Sequence, residues 1–126
     1  MNEPTWILDR SVRAIHLSQL AEHGGPVGIR DEGLLESALN RPKQRWTYEQ
    51  DTDIAQLAAS YAFGICQNPF FFDGNKRTAT VLMETFIILN GSNLHASDSE
   101  LYQTMMRVAS GQLAEASLAD WIRNNL

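Results

Sequence analysis

Asn68-Pro-Phe-Phe-Phe-Asp-Gly-Asn-Lys-Arg77, running directly into the apolar stretch Thr78 to Leu89, packs a carboxylate, a turn glycine, an amide and two cations together. The apolar stretch carries Ala79, Val81, Leu82, Met83, Phe86, Ile87, Ile88 and Leu89 with little polar face, which predicts a helix buried on most sides. If Gly74 is the turn and Asn75 opens that helix, the amides of Asn75, Lys76, Arg77 and Thr78 have no intrahelical partner. A helix start of this kind favours anions, and Lys76 and Arg77 add full charges. Arg77 can grip phosphate oxygens with two parallel bonds. Asp73 beside such a site is out of place unless a divalent cation lies between, and Mg²⁺ shared by one carboxylate and phosphate oxygens resolves the conflict. The plainer alternative is a capped Asp-Gly turn with an Asp73–Arg77 ion pair at i,i+4. Taken alone, the five residues Asp73 to Arg77 favour the plain turn.

Outward from this stretch, every long segment carries helical periodicity. Upstream, Asp53 with Gln56 forms a capping box for a helix with Ile54, Leu57, Ala58, Tyr61, Ala62 and Ile65 on one face. Asp9 is placed to cap a first helix carrying Val12, Ile15 and Leu20 and closing at His23-Gly24-Gly25. A second helix starts near Asp31, with Leu34, Leu35, Ala38 and Leu39 together, and Arg41-Pro42 is expected to stop it. Lys43 to Asp51 then reads as a polar loop displaying Trp46 and Tyr48. Downstream, Asn90-Gly91 ends the apolar helix, and Ser97 with Glu100 caps a fifth helix that closes near Gly111. Ser117 is expected to cap a sixth, with Leu118, Trp121 and Ile122 inward. Thr5 to Leu8 reads as a short extended lead-in. The fold class is therefore all-α, six helices in one domain spanning residues 1–126.

Composition removes several classes of function. The 126 residues carry 10 basic and 15 acidic side chains, a formal net charge of −5, so broad adhesion to nucleic acid or an anionic membrane is not expected. The N-terminus has neither the basic nor the apolar region of a signal peptide, and no apolar run approaches a membrane span, so a cytoplasmic protein is expected. Cys66 stands alone within an apolar helical face, where core packing explains it.

The flanks of the opening stretch decide between its two readings. The run resembles the signature of the Fic/Doc family, His-Pro-Phe-x-Asp-Gly-Asn followed by small or basic residues and arginine. Its Asp-Gly-Asn-Lys-Arg form, without a second glycine, is similar to the short Doc branch, the death-on-curing toxins. A second block, Gly24-Gly25-Pro-Val-Gly28-Ile-Arg-Asp31-Glu-Gly33-Leu-Leu-Glu36-Ser-Ala-Leu-Asn-Arg41-Pro42, is similar to the corresponding Doc segment. The placement of His16 in the first helix agrees as well, so the resemblance covers nearly the whole chain.

That resemblance implies a Fic fold, ATP and Mg²⁺ as cofactors, and a site residue by residue. Asp73 binds the metal; Phe71, Gly74, Asn75, Lys76 and Arg77 hold the nucleotide; Asp73, Asn75, Lys76 and Arg77 form the catalytic set. It implies transfer of the γ-phosphate to a hydroxyl of elongation factor Tu, and neutralisation by a small antitoxin seated in a groove. AMP transfer, the commoner Fic chemistry, is disfavoured by Lys76, where AMP-transferring members carry glycine. Phe70, Phe71 and Phe72 serve either as core plugs or as a platform for a base or target peptide. Trp46 and Tyr48 are expected on a loop above the site.

One element departs from the pattern. The family histidine falls at Pro69, or at Asn68 if the register shifts by one, and neither side chain takes a proton usefully at neutral pH. His16, His23 and His95 offer no convincing replacement. His16 reads as a packed residue, His23 as a helix C-terminal residue, and His95 lies a helix length away, roughly 20 Å at 1.5 Å per residue. The expectation is an intact phosphate half and a damaged hydroxyl-activating half. An attenuated enzyme, or an inactive nucleotide- or antitoxin-binding protein, follows from it.

Overall fold

In the computed structural model, residues 1–26, 28–68, 71 and 74–126 are described. They form α1 (Asp9–His23), α2 (Glu32–Tyr48), α3 (Ile54–Gln67), α4 (Asn75–Leu89), α5 (Asp98–Ala109) and α6 (Glu115–Asn124). No strand occurs among the described residues; an isolated antiparallel bridge joins Ile29 to Phe71.

The centre of the molecule is α3. Its run Ala55, Leu57 to Ala62, Gly64 and Ile65 is buried, and α2, α4, α5 and α6 all pack against it. Small side chains at Ala58, Ala59 and Ala62 let those neighbours come close on several sides at once. Asp53 and Gln56 form the expected capping box, each side chain bonding the other's amide. α4 lies alongside, burying Thr78, Ala79, Leu82, Met83, Phe86 and Ile87. Ile88 and Leu89, at its last turn, remain exposed.

The N-terminal lead-in is extended without joining a sheet, because side chains satisfy its backbone. Asn90 accepts from the Thr5 amide at 2.7 Å and donates to the Thr5 carbonyl at 3.0 Å. The buried Tyr61 hydroxyl accepts from the Ile7 amide at 3.3 Å.

Four local expectations are corrected. Pro42 does not stop α2, which runs on to Tyr48 with Pro42 buried inside it. An interior proline costs about 3 kcal/mol, and tertiary contacts beyond it offset that cost. Trp46 packs on the core, and Arg41 and Arg45 both clasp Glu115 of α6, a carboxylate only 13% exposed. Trp46 and Tyr48 therefore lie on a helix, not a loop. α6 begins at Glu115 behind Ala114, two residues before the expected Ser117 cap, because those same arginines hold Glu115 in the first turn. Asp9 opens α1 from inside its first turn and pairs with Arg13 at 2.5 Å, while Leu8 occupies the cap position. Ser97 caps α5 through its side chain as anticipated, and Asp31, near which α2 is expected to start, caps that helix in the same way.

Candidate functional site

Gly74 turns the chain into α4 with φ 76° and ψ 17°, the left-handed region where a side chain is strained. Its carbonyl accepts from the Thr78 amide at 2.9 Å, so Thr78 is already inside the helical ladder, contrary to expectation. The open amides at this helix start, among the described residues, are those of Asn75, Lys76 and Arg77. The turn is clamped by Asn75, whose carboxamide oxygen accepts from the Phe71 amide at 3.1 Å and whose nitrogen donates to the Phe71 carbonyl at 2.9 Å. Asn75 therefore offers an incoming anion its backbone amide, its side chain being committed to the loop.

Lys76 is exposed, with its ammonium 3.7 Å from the sulfur of Met106 on α5. Arg77 is half-buried and folds back over the turn: a Cβ built on Gly74 would stand 3.5 Å from its Nη2. The Arg77 Nε is buried and has no hydrogen-bond partner among the described residues. A buried guanidinium donor left unsatisfied is costly, and an anion oxygen would satisfy it. Both cations line a cavity of about 410 Å³ between the end of α1, the first turns of α4, and α5. Val81, Leu101 and Met105 form its apolar wall, and Gln19, His23, Thr80, Asp98 and Tyr102 its polar one. That volume suits a nucleotide-sized ligand.

Phe71 is 2% exposed and fills the core beneath the turn, which answers its half of the core-or-platform alternative. Its ring lies flat against His16, with centroids 3.4 Å apart and planes 5° from parallel. His16 is buried as expected, continuing the α1 stripe of Val12 and Leu20. What sequence reasoning missed is where that stripe leads, to the underside of the α4 turn. His23 shares the cavity of Lys76 and Arg77, a second placement not anticipated. His95 is far off, its amide bonded to the Asn125 carbonyl. Cys66 is an inert thiol: burial pushes it up to about 11, against a weaker downward pull from Lys76.

Pro69, Phe70, Phe72 and Asp73, and with them the expected metal carboxylate and the histidine position, lie outside the described residues. Tyr48 and the α2 arginines face another cavity, of about 660 Å³. Its charges are spent on one another, with Glu115 between Arg41 and Arg45, and Arg123 on Asp53 at 2.6 Å. Its residues staple α2, α3 and α6 together, and it shares no lining residue with the cavity of Lys76 and Arg77.

A helical bundle that turns Gly74-Asn-Lys-Arg77 onto the start of a buried helix defines a class, and comparison with known proteins agrees. Residues 6–87 match the Fic/DOC family model, and the chain belongs to that family. Two curated relatives carry Doc names and place it on the Doc branch. It is 32% identical over 110 residues to the protein kinase doc of Escherichia phage P1, covering 87% of this chain and 86% of that protein. It is 39% identical over 75 residues to the toxin Doc of Mycolicibacterium smegmatis, covering 58% of this chain and 57% of that protein.

Proposed function

We propose that this chain is a Doc-type toxin that binds Mg-ATP at the α4 start and transfers the γ-phosphate to a protein hydroxyl, at an attenuated rate. The observation that carries the reading is the Arg77 donor, unsatisfied among the described residues, beside three amides open among the same residues and Lys76. The names of the two relatives, a protein kinase and a toxin, support it.

The residues fit an ATP phosphate tail: amides of Asn75, Lys76 and Arg77, one bidentate guanidinium and one ammonium. For Mg²⁺, no group of three metal-ligating side chains exists among the described residues. Asp73 alone, with phosphate oxygens, is the arrangement this cation favours at nucleotide sites. Bound Mg²⁺ would supply charge neutralisation. In the transfer the hydroxyl oxygen bonds to the γ-phosphorus, the bond to the β-bridging oxygen breaks, and ADP leaves. With Pro69 in the histidine position the hydroxyl proton goes to water. Positioning and charge neutralisation dominate phosphoryl transfer, so the absent base slows the reaction more than it abolishes it.

Elongation factor Tu is the target that the resemblance implies, and a cytoplasmic site of action is the corresponding proposal; no described helix is long and apolar enough to cross a membrane. A separate small antitoxin is the implied partner. A second reading, a nucleotide- or antitoxin-binding protein without turnover, is favoured by the same proline. Incubation with ATP, Mg²⁺ and elongation factor Tu separates the two. Slow phosphorylation of the factor is expected, rising about 10²–10⁴-fold in a Pro69→His, Phe70→Pro variant. No phosphate transfer by either protein would leave the binding reading standing.

A further inference from the structure

We propose that His16 is a positioning residue for the α4 turn, holding it from beneath so that the amides and Arg77 present a formed anion cradle. Three contacts carry this. The imidazole stacks flat on Phe71, just before the turn, with centroids 3.4 Å apart. Its Nδ1 meets the hydroxyl of Thr78, just after the turn, at 3.4 Å. Its Cε1 and Nδ1 lie 3.7 and 3.8 Å from where a Gly74 Cβ would stand, so the ring also floors the turn itself.

A packing role alone would be served by leucine or phenylalanine on the Val12–Leu20 stripe. Imidazole adds to the flat face that leucine lacks what neither residue offers, a ring nitrogen for a buried threonine whose side chain is 0% exposed. The Asn75 clamp ties the two ends of the loop to each other. His16 ties the clamped loop to α1, and so fixes its height relative to the cavity that α1 shares with Lys76 and Arg77. Displacement of about 1 Å in such a site costs up to about 100-fold in function, which is why a residue touching no ligand can govern it.

The ligand side of this proposal rests on the Mg-ATP reading above, and a second readout frees the test from it. His16→Phe keeps a stacking ring and loses the Thr78 bond; Thr78→Val removes the same bond from the other side. Both are compared with the parent full-length chain by calorimetric titration with Mg-ATP. Amide exchange is followed at Phe71 and Thr78, with the α3 amides as an internal reference. The expected result is Mg-ATP binding weakened about tenfold in each variant and no further in the double variant. Exchange should quicken several-fold at Phe71 and Thr78 while α3 stays as in the parent. Unchanged binding with unchanged exchange at those two amides overturns the proposal. So does exchange that quickens equally throughout α3, because that is the mark of a packing residue only. Should His16→Phe fail to fold, Thr78→Val decides on the same two readouts. If the parent binds no Mg-ATP, the functional reading fails while the exchange pattern still decides this one.

Discussion

Replacing Asn75 by alanine removes both hydrogen bonds that close the loop onto α4. The Phe71 amide loses an acceptor at 3.1 Å and its carbonyl a donor at 2.9 Å. Phe71 is 2% exposed, so water cannot readily replace both partners without lifting the residue from the core. A buried polar group stripped of its partner costs about 1–3 kcal/mol. Part of that is recovered as the loop relaxes, so a total near 2–3 kcal/mol is expected for the pair. Denaturant unfolding reads it as a lower midpoint at unchanged slope. Asn75→Asp separates the two bonds: the carboxylate still accepts from the Phe71 amide but cannot donate to its carbonyl. It also brings negative charge to the anion cradle, so Mg-ATP affinity should fall further than stability does. An Asn75→Ala protein within about 0.5 kcal/mol of the parent, the range of an ordinary surface substitution, would refute the clamp.

Three further outcomes follow from neighbouring geometry. Gly74→Ala should lose about 1–2 kcal/mol from backbone strain, since the nearest described atoms, at 3.5 Å and beyond, leave room for the methyl while φ 76° resists it; an unchanged unfolding midpoint would contradict the left-handed turn. Burial raises the Asp53 carboxyl, but Arg123 and the Gln56 amide outweigh it and hold the group below its usual 3.8. A lowered folded-state value stabilises above the ordinary value and is lost as pH falls, so Asp53→Asn should be less stable than the parent at pH 7 and equal to it at strongly acid pH. Glu84 has the opposite sign: burial, then Asp98, raises it above 4.5. Its contribution is lost as pH rises through the folded value, so Glu84→Gln should be more stable than the parent at pH 7 and lose that advantage below about pH 4. Thermal melts across pH would check both.

Much of this architecture was legible in residue order because local and global signals coincide. The span Asn75–Leu89 follows from a glycine turn and an unbroken apolar run, and Asp53 with Gln56 marks the start of α3 through chemistry confined to four residues. Pro42 was misjudged because its local penalty is offset by Glu115, 73 positions later, which no window on α2 contains. The same carboxylate moved the start of α6 away from Ser117. At the site, the cations and the turn were readable from their spacing. The commitment of the Asn75 side chain to Phe71 was not, since an asparagine at a helix start looks alike whether it caps, clamps or binds. His16 was legible as a buried residue from its i,i+4 relation to Val12 and Leu20. Its position under Gly74 depends on how α1 meets α4, a pairing that sequence spacing does not specify.

The central claim is that the phosphate half of this site is built and the proton-accepting half is missing. The measurement that meets it most directly is calorimetric titration of the parent chain and of Arg77→Ala with Mg-ATP, alongside phosphoryl transfer to elongation factor Tu. The account predicts saturable Mg-ATP binding by the parent, weakened at least tenfold in Arg77→Ala, with transfer slow until histidine and proline are restored at positions 69 and 70. Absence of Mg-ATP binding by the parent, or equal affinity in Arg77→Ala, would contradict it.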